Sequence, residues 1–247
     1  MVILKHLSMP PFLDQKLVNI VLSTALGPVF PLYGILERNG QLVCECRLHE
    51  KCDRPGKHPR WFGWNLKGLP NSATTHLGLI ELWYRQFPNA NWAILVGERS
   101  FALDCDVRPE AAPPKNGIAV LQELLGQPET IEVASGSGKG SRHYYYVLPE
   151  NPDELHGLYG IDLKKKGFCV APGSRHISGQ LYVFVRSPVN CELAEAPSVL
   201  LDTLRRFQPT ESHQQPARPQ TVSRSETAEL LESKGNMGPV QVAKRSC

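Results

Sequence analysis

SFALDCDV, residues 100–107, alternates between two chemistries. Successive side chains of a strand point to opposite faces. Phe101, Leu103, Cys105 and Val107 therefore share an apolar face, and Asp104 and Asp106 share the other. A face so apolar packs on a core, which holds the two aspartates side by side on a defined surface, roughly 7 Å apart along the backbone. Carboxylates so placed repel each other unless a cation lies between them, and a divalent metal with oxygen ligands is the natural remedy. Two solvated aspartates near a strand end are the plainer alternative; the apolar opposite face argues for a built site.

Outward from this strand the chain reads as hairpins between helices. NWAILV (91–96) is a strand that a GERS turn joins to SFALDCDV. TIEVAS (130–135) and RHYYYVL (142–148) form a second hairpin around SGSGKGS, placing Ser141 and His143 on one strand face. GFCVAPGS (167–174) and QLYVFV (180–185) form a third, turning near Ser178-Gly179. VFPLYGI (29–35) is a further short strand. Apolar periodicity predicts helices over 11–26, over 76–87 behind Thr74 and Thr75 as caps, and over NGIAVLQELLGQ (116–127) behind Asn116, with a last one in PSVLLDTLRRF (197–207). That mixture predicts an α+β fold with a largely antiparallel sheet.

Between the second and third hairpins stands Gly160-Ile161-Asp162-Leu163, followed by Lys164, Lys165 and Lys166. The triplet is either an ordinary turn with solvated charges or a third carboxylate beside a phosphate-binding patch. Phosphoryl transfer asks for such a set, carboxylates to hold two metals and cations to neutralise a triphosphate. The Gly-rich turn is no P-loop: Val133 stands where the first glycine is needed, and Gly140 follows Lys139 where Ser or Thr belongs.

Residues 36–72 are polar and punctuated by Cys, His, Gly and Pro, an irregular stretch that needs an external staple. Cys44, Cys46, Cys52 and His58 supply four ligands within fifteen residues, with His49 competing, and three Cys with one His make a closed structural zinc site. Basic residues, among them Arg54 and Lys57, interleave there with Trp61 and Trp64, a combination suited to single strands or triphosphates, or simply a solvated face. Seven cysteines, three of them crowded together, suit a metal site in a reducing compartment better than a disulfide framework. The N-terminal MVILKHLSMPPFLDQ lacks a long apolar region, and no run approaches a membrane span, so a cytoplasmic protein is expected. A net charge of +3 excludes a uniformly basic nucleic-acid coat, leaving local clusters to make any such surface. From about 208 to 247 the chain is rich in Gln, Pro, Ser and Thr and is expected to be a disordered tail behind one catalytic domain, 1–207.

Taken together, LDCD, SGSGKGSRHYYYV and GIDLKKKGFCVAPGSRHISGQLY, in that order, resemble the bifunctional DNA primase/polymerase domain of the archaeo-eukaryotic primase superfamily. ATT before a Trp-containing helix and PNANWAILVGE extend the likeness over roughly 28–186. The resemblance implies an RRM-like catalytic subdomain packed on a second small α/β unit, with a zinc-stapled loop at about 40–60. It implies two Mg²⁺ or Mn²⁺ ions on Asp104, Asp106 and Asp162, and nucleotide contacts from His143, Ser141, Lys164 and Lys165, though the short basic run leaves open which lysine takes the usual role. It also implies Cys44, Cys46, Cys52 and His58 as ligands of one zinc ion. The expected activity is DNA primase/polymerase, on a single-stranded DNA template and primer with dNTP or NTP, alongside a separate helicase or single-strand-binding protein. A metal-dependent nuclease or rolling-circle initiator is an alternative, but an initiator would need a His–apolar–His triplet, which is absent, and a helical nucleophilic Tyr, whereas Tyr144, Tyr145 and Tyr146 read as strand; a non-catalytic binding module would not need these acidic residues.

Overall fold

The computed structural model describes residues 14–60 and 73–206. Expectations for the 208–247 tail, for Trp61 and Trp64 and for the start of the first helix lie outside these residues. In chain order the elements are α1 (Gln15–Ser23), β1 (Val29–Leu32), β2 (Ile35–Arg38), β3 (Gln41–Cys44), α2 (Leu77–Gln86), β4 (Asn91–Val96) and β5 (Ser100–Cys105). They continue with β6 (Val107–Arg108), β7 (Lys115–Asn116), α3 (Gly117–Leu125), β8 (Ile131–Ala134), β9 (Arg142–Val147), β10 (Ile161–Lys164), β11 (Gly167–Val170), β12 (Val183–Arg186) and α4 (Ser198–Arg206). No helix among the described residues is long and apolar enough to cross a membrane.

The α+β expectation holds, with two main antiparallel sheets and two two-stranded ribbons, β2-β3 and β6-β7, where one sheet was expected. The larger has the order β10-β5-β9-β8-β12, the smaller β1-β4-β11. Alternation along β5 explains how they meet. Phe101, Leu103 and Cys105 enter one core with Tyr144, Tyr146 and Ile161, covered by Leu121 of α3 and Leu200 and Leu204 of α4. Ala102 faces the other way, into a second core where Ile131, Val133 and Tyr145 meet Phe30, Trp92 and Ile94 of the smaller sheet, with Ile20 of α1 and Ile80 of α2. Each large side chain so buried stabilises the fold by roughly 1.5–3 kcal/mol. Asp104 lies on that same second face, where it shares a cavity with Phe168, Cys169 and Val170 of β11.

Several local expectations change. The GERS turn does not make a hairpin; it carries the chain from the smaller sheet (β4) to the larger (β5). The third hairpin is confined to its tip, where Gly173 and Tyr182 and then Tyr182 and Ser174 bond through their backbones, because β11 pairs with β4 and β12 with β8. VFPLYGI is split, and Ile35 opens a hairpin of β2 and β3 within the stretch expected to be irregular. Its turn is Asn39-Gly40, both at positive φ (52° and 73°), the conformation a tight hairpin demands. His76, rather than Thr75, caps α2, its side chain accepting from Leu79 N, whereas Asn116 caps α3 as expected.

Candidate active site and metal centre

Asp104 of β5 has two cross-strand partners, Asp162 on β10 and His143 on β9. The three form one row across adjacent strands on the face away from α3 and α4. His143 Nε2 lies 3.4 Å from Asp104 Oδ1, and its buried Nδ1 has no hydrogen-bond partner among the described residues. Burial pushes the Asp104 carboxyl up, but His143, Lys164 and Lys57 outweigh it and hold the group below its ordinary range.

Asp106 is not on the strand. β5 ends at Cys105, and Val107 begins β6, so the expected continuous alternation to Val107 stops two residues early. Asp106 is pinned by its backbone instead: its N–H donates to Gly160 O and its carbonyl accepts from Gly117 N, both at 2.8 Å. A Cβ on Gly117 would stand 2.1 Å from Gly160 O, so only glycine allows this approach. The next residue is fixed too, Val107 N donating to Ser141 Oγ at 3.0 Å. Burial, then the nearby Asp104, pushes the Asp106 carboxyl up, with Arg108 and Lys115 opposing. Two oxygen-donor groups that disfavour each other's charge suit a hard divalent cation.

These residues open onto a cavity of about 470 Å³. Asp104, Asp106, Ser141, His143 and Lys164 line it, as do the cations Arg54, Lys57, Arg108 and Lys139, the aromatic rings of Phe168 and Tyr182, and His176. Asp162 stands opposite Asp104 on the neighbouring strand, ion-paired with Lys164, and is not among the residues that line the cavity. Lys165 is not gathered here; its ammonium donates to the carbonyls of Asp153 and Leu155, each at 2.8 Å, and Lys166 pairs with Asp153. Arg108, Lys139, His176 and Tyr182 are lining residues that sequence reasoning missed. Arg108 lies two residues beyond Asp106 on the same run, Lys139 in the Gly-rich turn, and His176 and Tyr182 in the GSRHISGQLY stretch.

The Cys/His loop reaches the cavity through Arg54 and Lys57. Cys44 ends β3, a 3₁₀ turn over His49–Lys51 follows Cys46, and Cys52 and His58 close the loop. One ligand atom from each of Cys44, Cys46, Cys52 and His58 lies within 4.8 Å of the others, the one such group of three or more among the described residues. His58 Nε2 is 3.3 Å from Cys44 Sγ and 3.5 Å from Cys52 Sγ. His49 turns its Nδ1 to Cys44 O at 3.1 Å, outside the group. Four soft or borderline donors so collected can hold a zinc ion. Arg54 and Lys57 lie between the last two of these residues and reach the cavity.

Comparison with curated proteins finds no match. The sequence model for the bifunctional DNA primase/polymerase N-terminal domain matches residues 24–199. That span takes in every strand among the described residues, the Cys/His loop and the acidic row, and the chain belongs to this family.

Proposed function

We propose that the protein is a template-directed DNA primase/polymerase that joins a (d)NTP to a primer 3′-hydroxyl. The new bond forms between that oxygen and the α-phosphorus, and pyrophosphate leaves. The family match supports nucleotidyl transfer. The observation that carries the reading is the row Asp162, Asp104, His143, joined by Asp106 over a cavity walled with cations.

Asp104, Asp106 and Asp162 would hold two Mg²⁺ or Mn²⁺ ions. When bound, these supply a more acidic 3′-hydroxyl and charge neutralisation at the leaving pyrophosphate. His143 pairs with Asp104 through Nε2 and would donate to phosphate oxygens when nucleotide is bound; Lys164, Lys57 and Arg54 neutralise the triphosphate. Ser141 acts through the backbone, fixing Val107 and hence the approach of Asp106. The larger sheet with α3 and α4 serves as the RRM-like catalytic subdomain, and the smaller sheet with α1 and α2 as the second unit. Zinc on Cys44, Cys46, Cys52 and His58 is structural, because four protein donors leave no open position.

Primer extension with labelled dNTPs and Mn²⁺ or Mg²⁺ tests this. Template-dependent lengthening of the primer is expected. Metal-dependent degradation of the DNA, or tight DNA binding without incorporation, would contradict it.

A further inference from the structure

Each outer carboxylate of the site is followed two residues later by a cation, in Asp106-x-Arg108 and Asp162-x-Lys164. On β10 that spacing puts Asp162 and Lys164 on one face, and they pair. Arg108 Nη2 lies 2.7 Å from Asp106 Oδ2. Both cations line the cavity. The other lysines of the basic run are engaged elsewhere, on Asp153 and Leu155, and Lys139 pairs with Glu110.

We propose that Arg108 and Lys164 are placeholder counter-ions: they neutralise Asp106 and Asp162 in the metal-free protein and pass to the triphosphate when a divalent ion takes the carboxylates. The inference rests on those aspartates being metal ligands, as proposed above. A divalent charge arriving at Asp106 or Asp162 repels the guanidinium or ammonium already there, and the nearest anion in the cavity is then the nucleotide. A nucleotide arriving without metal finds both cations occupied. Metal and nucleotide therefore strengthen each other's binding through these two residues, and the strengthening is reciprocal. Both pairs are partly exposed, the side chains of Arg108 and Asp106 being 55% and 25% accessible and those of Lys164 and Asp162 30% and 49%. Pairs of this kind are worth about two- to fivefold in an equilibrium constant.

The test measures Mn²⁺ binding by the paramagnetic signal of free Mn²⁺, and dATP binding by calorimetry, on zinc-loaded full-length protein without DNA. Arg108→Gln and Lys164→Gln should each bind Mn²⁺ about two- to fivefold more tightly than wild type when dATP is absent. With saturating Mn²⁺ they should bind dATP several-fold more weakly, and the factor by which Mn²⁺ strengthens dATP binding should shrink. Arg108→Lys should stay near wild type. Lys139→Gln removes the same charge from the same cavity and should leave Mn²⁺ affinity unchanged. Opposite signs for metal and nucleotide cannot come from a merely structural role, which would weaken both. Unchanged or weaker Mn²⁺ binding in the two variants, while Asp106→Ala abolishes it, overturns the inference and leaves the ligand assignment standing. Tightening by Lys139→Gln equal to that of Arg108→Gln overturns it in favour of a general charge effect. Equal Mn²⁺ binding by wild type and Asp106→Ala removes the ligand assignment itself, and the inference with it.

Discussion

Asp104 and Asp106 stand two residues apart and are held by different means. Strand alternation made Asp104 legible from the sequence, since the apolar residues flanking it do enter a core. It misplaced Asp106, because the end of a strand is decided by partners distant in sequence: here Gly160 and Gly117 take both backbone groups of Asp106. Gly117→Ala should force that clamp apart. Overpacking against backbone costs about 1–3 kcal/mol, so the melting temperature should fall, and primer extension should fall further because Asp106 moves. A variant of wild-type stability and activity would show that the close approach is not needed. His143 was identified by its position in the S-x-H strand; its pairing with Asp104 needed the register of β5 and β9. Removing a preorganised donor aimed at developing charge costs roughly a hundredfold. His143→Ala should therefore lower kcat/KM for dNTP by about that factor while template affinity changes little; equal losses in both would contradict a role on the triphosphate.

At the scale of elements, the site lies where the two sheets part. β4 to β5 and β10 to β11 both step between sheets, and β10 is the edge strand that brings Asp162 beside Asp104. None of this was legible from hairpin-like patterns, because β-propensity and turn residues mark strands without saying which sheet receives them. The β2–β3 hairpin is harder to read for a different reason: ILERNGQLVC carries an Asn-Gly turn, but its two strands are only four residues long and lack a clean apolar–polar alternation. The ligand group itself was legible, as the structure gathers the same four residues and turns His49 away. Because Arg54 and Lys57 lie inside this loop, zinc should matter twice. Cys52→Ser should lose zinc and melt at lower temperature, since metal affinity in such a site is folding free energy. It should also bind dNTP more weakly, as the cationic wall loses its anchor. Zinc-free wild-type protein by elemental analysis, or a variant with unchanged melting, would contradict the structural role.

Over the whole molecule, a net charge of +3 gives no hint that acidic groups and cations collect around one cavity. Composition could not reveal that, since it depends on which loops fold over the larger sheet. The polar residues 208–247 carry too few apolar side chains to build a core, so a chain ending at Phe207 should extend a primer on a simple template at close to the wild-type rate. A large loss would assign those residues a part in DNA binding. Everything in the account depends on the carboxylates acting together on a divalent ion. Asp106→Ala tests this most directly, because removing a charge from a repelling pair should not unfold the protein. The variant is purified, its metal-free melting temperature compared with wild type, and primer extension assayed with Mn²⁺. The account predicts unchanged melting and extension below about one hundredth of the wild-type rate, as loss of metal-borne charge stabilisation removes several kcal/mol from the transition state. A normally folded Asp106→Ala that extends the primer at a rate comparable to wild type would contradict it.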